Sequence, residues 1–370
     1  MKSIGRNFLL LVVLALVVGC VGKGQYGKEQ ARVEFVLPQF ADTIDLTSRI
    51  EVMNDNFILV GGNVFATKDF IVCVSRTEDH INTCMFQLFD KEGNFIRGFG
   101  EQGRGPGEIS MLMNSYGVLS DSVFYAHDVN ASKMVYYSLY DESFSEIPFY
   151  HDMSTVWYRH AGANRVVLNA PFVPERRDEN ADSMRYMVLS TTMDCLDSCF
   201  GYPKLRKQND YSLSSKRGLY FYHSRFEYSA THDKIVSIVN NGAHIDIYGF
   251  KDDKLIHDRV EHYAESQINI SDLARTSYLP YPRPMSEYVG LSGLALSDKG
   301  MIVTYTEHNK NEELDDEADN SVIWEFDWNL NPLNCYVVKG FEYSNLSPDH
   351  KYLYGYVYIN DEPFLARIPL

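Results

Sequence analysis

Apolar positions in this chain alternate with polar ones or form short runs, and almost none follow the spacing of an amphipathic helix. Residues 57–60, 186–189 and 234–239 are examples of such runs. They are rich in Val, Ile, Leu and Phe or Tyr, and Gly, Asn, Asp or Pro residues interrupt the sequence between them. Runs of this length and composition are typical of β-strands. The pattern therefore predicts an all-β protein.

Two sequence phrases recur along the chain, which indicates a repeat architecture. The first is an aromatic-rich strand, a polar turn and a second strand, and we expect it to form the outer hairpin of a four-stranded antiparallel blade. It occurs at residues 86–95, 136–144, 245–255 and 323–331, with a weaker copy at 186–194 and a C-terminal strand at 364–370. The second phrase is a small polar turn that opens an inner strand, at residues 230–235, 296–302 and 346–353.

These repeats predict a six-bladed β-propeller. Without the first 19 residues the chain has 351 residues, or about 58 per blade, and seven blades would also fit this length. A propeller needs its first and last strands to close the ring, because closure removes unpaired sheet edges. We expect the segment Val33–Leu37 to pair with the final blade for this purpose.

Residues 95–135 contain the most specific motif. Residues 95–109 read FIRGFGEQGRGPGEI, and residues 124–135 read FYAHDVNASKMV. Together they resemble the blade junction of NHL-type propellers, and the mature chain resembles the six-bladed, TolB-like or NHL-like propeller lipoproteins of bacteria. The resemblance implies one propeller domain, over residues 31–370, with the glycine-rich loop as a blade crossover. It also implies that Asp128 and Asn130 tie neighbouring strands together through backbone hydrogen bonds.

The N-terminus is typical of an export signal. Lys2 and Arg6 precede an apolar run at residues 8–18, and Gly19-Cys20 follows it. This layout predicts a signal peptide at residues 1–19, a lipidated Cys20 and a tether over residues 20–30, as in a bacterial lipoprotein. The alternative is an ordinary cleaved signal with an incidental cysteine. We expect a lipid-anchored protein of the cell envelope, periplasmic or in the outer membrane.

The charge of the chain excludes one class of partner. The formal net charge is −16, and it becomes −18 once Lys2 and Arg6 are removed with the signal. An acidic surface repels phosphate backbones and anionic lipid headgroups. We therefore expect no nucleic-acid binding, and contact with a membrane through the N-terminal lipid only.

Five cysteines remain besides Cys20, and two of them lie on adjacent predicted strands. If the turn between these strands is centred between Glu78 and Asp79, then Cys73 and Cys84 lie opposite each other, within reach of a disulfide. An exported protein permits this bond. The alternative is that both residues act as small buried hydrophobic side chains.

Two irregular stretches are the candidates for a binding face. Residues 200–228 and 276–288 are rich in aromatic and basic side chains, which is unusual in so acidic a chain. Guanidinium groups and aromatic faces suit carboxylates and sugar rings. The alternative is that both are simply long loops between blades. The predicted ligand-binding residues are Arg206, Tyr220, Tyr222, His223, Arg225, Tyr281 and Arg283.

No motif nominates a catalytic residue or a metal site. The glycine-rich loop lacks the Lys-Ser/Thr ending of a phosphate loop, and the eleven histidines show no metal-ligand spacing. We therefore expect no cofactor, and a non-catalytic binding or scaffolding propeller that recognises a glycan, a peptide or an envelope protein. The alternative is an envelope hydrolase or lyase with a metal in the central channel, because propellers host both kinds of function.

Overall fold

The structure is a computed structural model, and it describes eleven stretches of the chain. These are residues 36–53, 60–75, 84–149, 157–162, 164–169, 186–192, 194–199, 224–239, 242–265, 287–309 and 320–370. The chain divides into two compact units, Met1–Glu34 and Phe35–Leu370. All described residues belong to the second unit. In these stretches no helix is long and apolar enough to cross a membrane.

The second unit begins with two short strands and a single-turn 3-10 helix, Thr47–Arg49. The strands are β1 (Thr43–Asp45) and β2 (Glu51–Val52). The next four strands form blade 1: β3 (Val60–Ala66), β4 (Phe70–Ser75), β5 (Cys84–Asp90) and β6 (Phe95–Glu101). Blade 2 follows: β7 (Leu112–Ser120), β8 (Val123–Asp128), β9 (Lys133–Ser138) and β10 (Phe144–Pro148).

The remaining strands complete four more blades. Blade 3 contains β11 (Trp157–His160), β12 (Arg165–Asn169), β13 (Tyr186–Ser190) and β14 (Cys195–Cys199). Blade 4 contains β15 (Ser224–Ser229), β16 (Lys234–Val239), β17 (Gly242–Lys251) and β18 (Lys254–Glu265). Blade 5 contains β19 (Glu287–Leu296), β20 (Gly300–Asn309), β21 (Asn320–Asp327) and β22 (Pro332–Lys339). Blade 6 contains β23 (Phe341–Leu346), β24 (Tyr352–Ile359) and β25 (Glu362–Pro369).

The predicted six-bladed all-β propeller is confirmed. The described residues form six hydrophobic clusters, and each cluster lies between two neighbouring blades, including blades 6 and 1. Because a blade packs on both faces, a central strand such as β4 is buried along most of its length. This explains why the strands read as apolar runs rather than strict alternation. Each predicted outer hairpin matches the third and fourth strands of a blade.

The ring is closed by N- and C-terminal strands, but not by the predicted segment. β2 pairs with β25 and serves as the fourth strand of blade 6. Upstream, β1 adds to β22 of blade 5 in parallel. Of the predicted closing segment, the described residues Val36 and Leu37 form no strand and are exposed. That part of the prediction is wrong. The strand that closes the ring, β2, is only two residues long, so the sequence shows no strand pattern there.

The blade topology separates the connections onto two faces. Connections from a first to a second strand, and from a third to a fourth, emerge at one end of every blade and span at most five residues. We call this end the short-turn face. Hydrogen bonds between neighbouring blades show that the turns lie on the same side of the ring: the Lys68 amide donates to Asp121, and the Asp298 amide donates to the Pro348 carbonyl. The other connections emerge at the opposite end, the long-connection face. They include residues 170–185, 200–223 and 266–286.

The glycine-rich loop connects β6 of blade 1 to β7 of blade 2, as predicted. Gly107 has a φ of 72°, its amide donates to Glu146, and its carbonyl accepts the Tyr137 hydroxyl at 2.9 Å. The buried Asp128 carboxylate accepts from the amides of Ser110 and Ala131, at 2.7 and 3.1 Å. Asp128 therefore ties this loop to the turn after β8.

Candidate functional site

Arg225 is the only predicted ligand-binding residue in the described part of the chain. The others lie outside the described residues: Arg206, Tyr220, Tyr222, His223, Tyr281 and Arg283. The predicted lipidation site, Cys20, also lies outside them. Residues 200–223 connect β14 to β15, and residues 266–286 connect β18 to β19. Both predicted binding stretches therefore join strand ends on the long-connection face.

Arg225 is the second residue of β15, the inner strand of blade 4, so it lies close to the long-connection face. The intervening residue Phe226 is fully buried in the cluster between blades 3 and 4. Side chains alternate along a strand, so Arg225 and Glu227 project from the opposite side of β15. Both are partly exposed. Their Cα atoms are about 7 Å apart along the strand, and one side chain is cationic and the other anionic.

Glu227 forms a two-point ion pair with Arg159, on the inner strand β11 of blade 3. Arg159 Nε donates to Glu227 Oε2 at 2.9 Å, and Nη2 donates to Oε1 at 2.8 Å. The Arg159 side chain is only 7% exposed, whereas that of Glu227 is 29% exposed. Burial alone would lower the pKa of Arg159, but the Glu227 carboxylate together with the Tyr125 and Tyr116 hydroxyls outweighs burial, and the pKa lies above its usual value. The pair joins two blades at their inner strands.

Two buried tyrosines complete this inner-strand cluster, which we define as Tyr116, Tyr125, Arg159, Arg225 and Glu227. Tyr116 lies on β7, the inner strand of blade 2, and Tyr125 lies on the neighbouring second strand β8. Burial raises the pKa of Tyr116, and the charges of Arg159, Arg225 and Glu227 all act on its hydroxyl. Burial raises the pKa of Tyr125 to about 12. Both phenols are therefore protonated at neutral pH and can donate hydrogen bonds.

His160 follows Arg159 directly and is buried beneath the cluster. Its ring contacts that of Tyr125 edge-on at 4.5 Å, and its Nε2 lies 3.2 Å from the Tyr136 hydroxyl. Burial lowers the pKa of His160 to about 4. The imidazole is neutral at physiological pH and acts as a packing and hydrogen-bonding group.

A second polar network joins blades 5 and 6 near the short-turn face. His350 Nε2 lies 2.5 Å from Glu325 Oε1, and His350 Nδ1 lies 2.5 Å from Ser297 Oγ. Burial would raise the pKa of Glu325, but hydrogen bonds from His350, Tyr336 and Asn334 outweigh it and hold the pKa below its usual value. The carboxylate is therefore charged in the folded protein.

This serine, histidine and glutamate set is structural rather than nucleophilic. Ser297 Oγ accepts from the amides of Lys299 and Gly300, and it is buried. Ser347, at the equivalent position of blade 6, accepts from the amides of Lys351 and Tyr352 in the same way. A hydroxyl that caps a turn and is closed to solvent is not placed to attack a substrate. The network therefore fixes one blade to the next.

A third polar group lies on the outer strands of blade 4. The buried Asp246 carboxylate lies 2.9 Å from His244 Nε2 and 3.2 Å from His257 Nε2. Within the described ranges, however, no group of three or more His, Cys, Asp or Glu residues could hold a metal ion. The described part of the chain therefore gives no support to the alternative of a metal-dependent hydrolase or lyase.

The predicted disulfide between Cys73 and Cys84 is wrong. Cys73 pairs with Gln87 and Val74 with Phe86, so the register differs by three residues from the one that would place Cys73 opposite Cys84. Cys84 instead lies opposite Glu101 of β6. Cys73 is a free, fully buried thiol, and burial raises its pKa. The alternative of a small buried hydrophobic side chain therefore holds for Cys73.

The sequence reasoning missed Arg159, Glu227 and the two tyrosines. Arg159 and Glu227 are 68 residues apart, and each lies on a strand of four to six residues. The sequence carries little signal for them, because the strands WYRH (β11) and SRFEYS (β15) are polar enough that a charged residue does not stand out. Glu227 also lay inside the predicted stretch 200–228, two residues after Arg225.

The fold and the inner-strand cluster together define a six-bladed propeller with polar side chains on its inner strands. The family described as "TolB-like 6-blade propeller-like" matches residues 40–341, which is more than half of the chain. The chain belongs to this family. The match ends where β23, the first strand of blade 6, begins. A search of curated proteins found no significant match.

Two solved structures show the same fold at low sequence identity. One is a predicted exported protein of Bacteroides fragilis NCTC 9343, with 15% identity and a TM-score of 0.56; the match covers 90% of this chain and 98% of that one. The other is a member of the DUF4221 family from Bacteroides vulgatus, with 8% identity and a TM-score of 0.53. That match covers 86% of this chain and 95% of the other. These likenesses concern the fold alone.

Proposed function

We propose that this protein is a non-catalytic binding propeller of the cell envelope, which holds a glycan, a peptide or a partner protein on its long-connection face. The observation that carries this proposal is the difference between the two faces. Turns on the short-turn face span at most five residues, whereas connections on the other face reach the 24 residues of 200–223. Long loops on a rigid scaffold are where binding residues gather.

The inner-strand cluster supports the same face. Arg225 lies near the start of β15 and Glu227 in its middle, and β15 begins on the long-connection face. A charged pair with one buried partner costs desolvation energy that apolar residues would not, which favours a role in recognition over one in stability alone. The basic and aromatic stretch 200–228 includes all but the last residue of this strand.

The location is part of the proposal. Export is supported by the signal-like N-terminus and by the fold shared with a predicted exported protein. Lipidation at Cys20 would hold the propeller at a membrane through the tether. The test is metabolic labelling with a fatty acid, followed by fractionation. A Cys20→Ser variant should lose the label and leave the membrane fraction; a labelled or membrane-bound variant would contradict the anchor.

The binding role is tested by changing each face separately. One variant replaces residues 204–219 with a short Gly-Ser linker, and its control inserts Gly-Ser residues into the Asp252-Asp253 turn of the short-turn face. Both are compared with the mature protein for binding to immobilised neutral and acidic oligosaccharides and peptides. We expect binding to be lost only in the first variant. Equal loss in both, or turnover of a panel member that chelator abolishes, would contradict the proposal.

A further inference from the structure

Ion pairs join blades 3 and 4 at two places. On the inner strands, Arg159 of β11 pairs with Glu227 of β15. At the short-turn end, Arg165 of β12 pairs with Asp233, in the turn after β15, at 2.6 Å and with Asp253 at 3.9 Å. Both arginines belong to blade 3 and all three carboxylates to blade 4. The two blades therefore attract each other through opposite charges.

The rest of this interface contains further polar contacts. The Tyr186 hydroxyl of blade 3 donates to Ser237 Oγ of blade 4 at 2.6 Å, and both residues are fully buried. On the outer strands, the Leu255 amide of β18 donates to the Asp197 carboxylate of β14 at 3.0 Å. This last bond crosses the interface, so the hydrogen exchange rate of the Leu255 amide reports whether the two blades stay together.

The other interfaces differ in the part of the chain that the structure describes. Arg97, Arg259 and Arg367 each reach the next blade, but they donate to backbone carbonyl oxygens rather than to carboxylates. The contact of His350 with Glu325, between blades 5 and 6, is an ion pair only when the imidazole is protonated, and both side chains are buried. Among the described residues, ion pairs of lysine or arginine that join two blades therefore occur only between blades 3 and 4.

Dissolved ions can reach the acidic partner of each pair. The Asp233 side chain is 50% exposed, and that of Glu227 is 29% exposed. Salt screens charges that water can reach, and it screens buried charges much less. A higher salt concentration therefore weakens the attraction between blades 3 and 4, whereas the apolar clusters between the other blades carry no charge to screen.

We propose that the interface between blades 3 and 4 is an ionic seam, defined by Arg159, Glu227, Arg165 and Asp233, which opens more readily as the salt concentration rises while the other interfaces do not. The inference goes beyond the proposed binding function, because it concerns how the ring holds together. Proteins open locally in units that differ in stability, so a ring can open at one interface and keep the others.

The experiment is hydrogen–deuterium exchange of the mature protein, resolved to single amides, in about 20 mM and about 500 mM sodium chloride. The Leu255 amide reports on the seam. The Lys68 and Asp298 amides, which donate across the interfaces between blades 1 and 2 and between blades 5 and 6, are the internal controls. We expect exchange at Leu255 to be about two- to fivefold faster in high salt, relative to these controls.

Two substitutions remove one charge each from the seam. Glu227→Gln and Asp233→Asn keep a hydrogen-bonding group of the same size, so the fold should persist. In both variants the Leu255 amide should exchange about twofold faster or more in low salt, and the further effect of salt should shrink. The control is Asp258→Asn, because Asp258 pairs with Lys234 inside blade 4 at 2.6 Å and joins no blades. It should exchange as the unmodified protein does.

The outcomes decide whether the seam exists. Equal acceleration by salt at Leu255, Lys68 and Asp298 would show that the whole ring responds, which overturns the inference. An unchanged rate at Leu255, or the same salt effect in Glu227→Gln and Asp233→Asn as in the unmodified protein, overturns it as well. None of these results touches the proposed function, which stands or falls on ligand binding.

Discussion

His160 shows how burial controls protonation at the level of one residue. The imidazole is enclosed by Tyr125 and Tyr136, and its pKa of about 4 lies below the value near 6.5 of an exposed histidine. As the pH falls through 6.5, the unfolded chain binds this proton first, whereas the folded chain binds it only near pH 4. His160 therefore lowers the free energy of unfolding across this window, by up to about 3 kcal/mol.

A His160→Gln variant tests this contribution. Its free energy of unfolding should fall less between pH 7 and pH 4.5 than that of the unmodified protein, because glutamine has no proton to gain. Urea denaturation at the two pH values measures the difference. Between pH 7.5 and pH 8.5 the gap between the two proteins should stay constant. An identical acid dependence in both would show that His160 is protonated equally in the folded and unfolded states.

At the same scale, the sequence named one member of the inner-strand cluster and missed the rest. Arg225 stood out as a basic residue in a stretch dense with aromatic side chains, a property of composition alone. Arg159 could not be assigned to the same site, because only the ring brings β11 beside β15. The Cys73 disulfide failed for a related reason: its register depended on the centre of a turn, and a small shift moves every pair.

At the scale of elements, the strap formed by residues 43–53 holds blades 5 and 6 together from outside. β1 pairs with β22, β2 pairs with β25, and between them Leu46 is fully buried in the cluster that joins the two blades. The Leu46 amide also donates to the Val337 carbonyl at 2.9 Å. The strap therefore closes the ring through one anchored side chain as well as through strand pairing.

Leu46→Ala should lower the free energy of unfolding by about 2–4 kcal/mol, because it leaves a cavity between two blades. Val52→Ala is the matched control. Val52 lies on the same strap but is 46% exposed, so its loss should cost under about 1 kcal/mol. Denaturant unfolding measures both. Similar costs for the two variants would show that Leu46 does not anchor the strap.

The glycine-rich loop allows a second comparison between elements. Gly107 and Gly340 both have positive φ, of 72° and 63°. A Cβ at Gly107 would lie 2.9 Å from the Phe144 ring, whereas a Cβ at Gly340 would meet nothing within 4 Å. Gly340→Ala should therefore cost only backbone strain, about 1 kcal/mol, and Gly107→Ala should cost more. Equal losses by denaturant unfolding would show that Phe144 moves aside freely.

The repeated phrases predicted the outer hairpins because a blade repeats its third and fourth strands with the same aromatic residues and polar turns. The inner strands were harder to place. Inner strands such as β11 (WYRH) and β15 (SRFEYS) share no common sequence phrase, because they carry different polar residues of the cluster. The closing strand β2 was missed because Glu51 and Val52 are both exposed, so burial leaves no pattern there.

At the scale of the whole molecule, the two faces of the ring differ in the length of the connections they carry. On the short-turn face, contacts such as Thr231 with Asp298 and His350 with Ser297 bind each blade to the next. The opposite face carries the long connections and the start of β15. Long connections gathered at one end of a closed ring are consistent with the proposed recognition of a ligand, and propellers of this architecture leave only short, protected edges.

The most direct test of this account is hydrogen–deuterium exchange of the mature protein with and without each oligosaccharide or peptide of the panel that it binds. The account predicts slower exchange in peptides from β11, β15 and the connection that precedes β15, and unchanged exchange in the turns 252–253 and 297–299 of the short-turn face. Protection confined to the short-turn face, or to the outer strands of the blades, would contradict a binding site on the long-connection face.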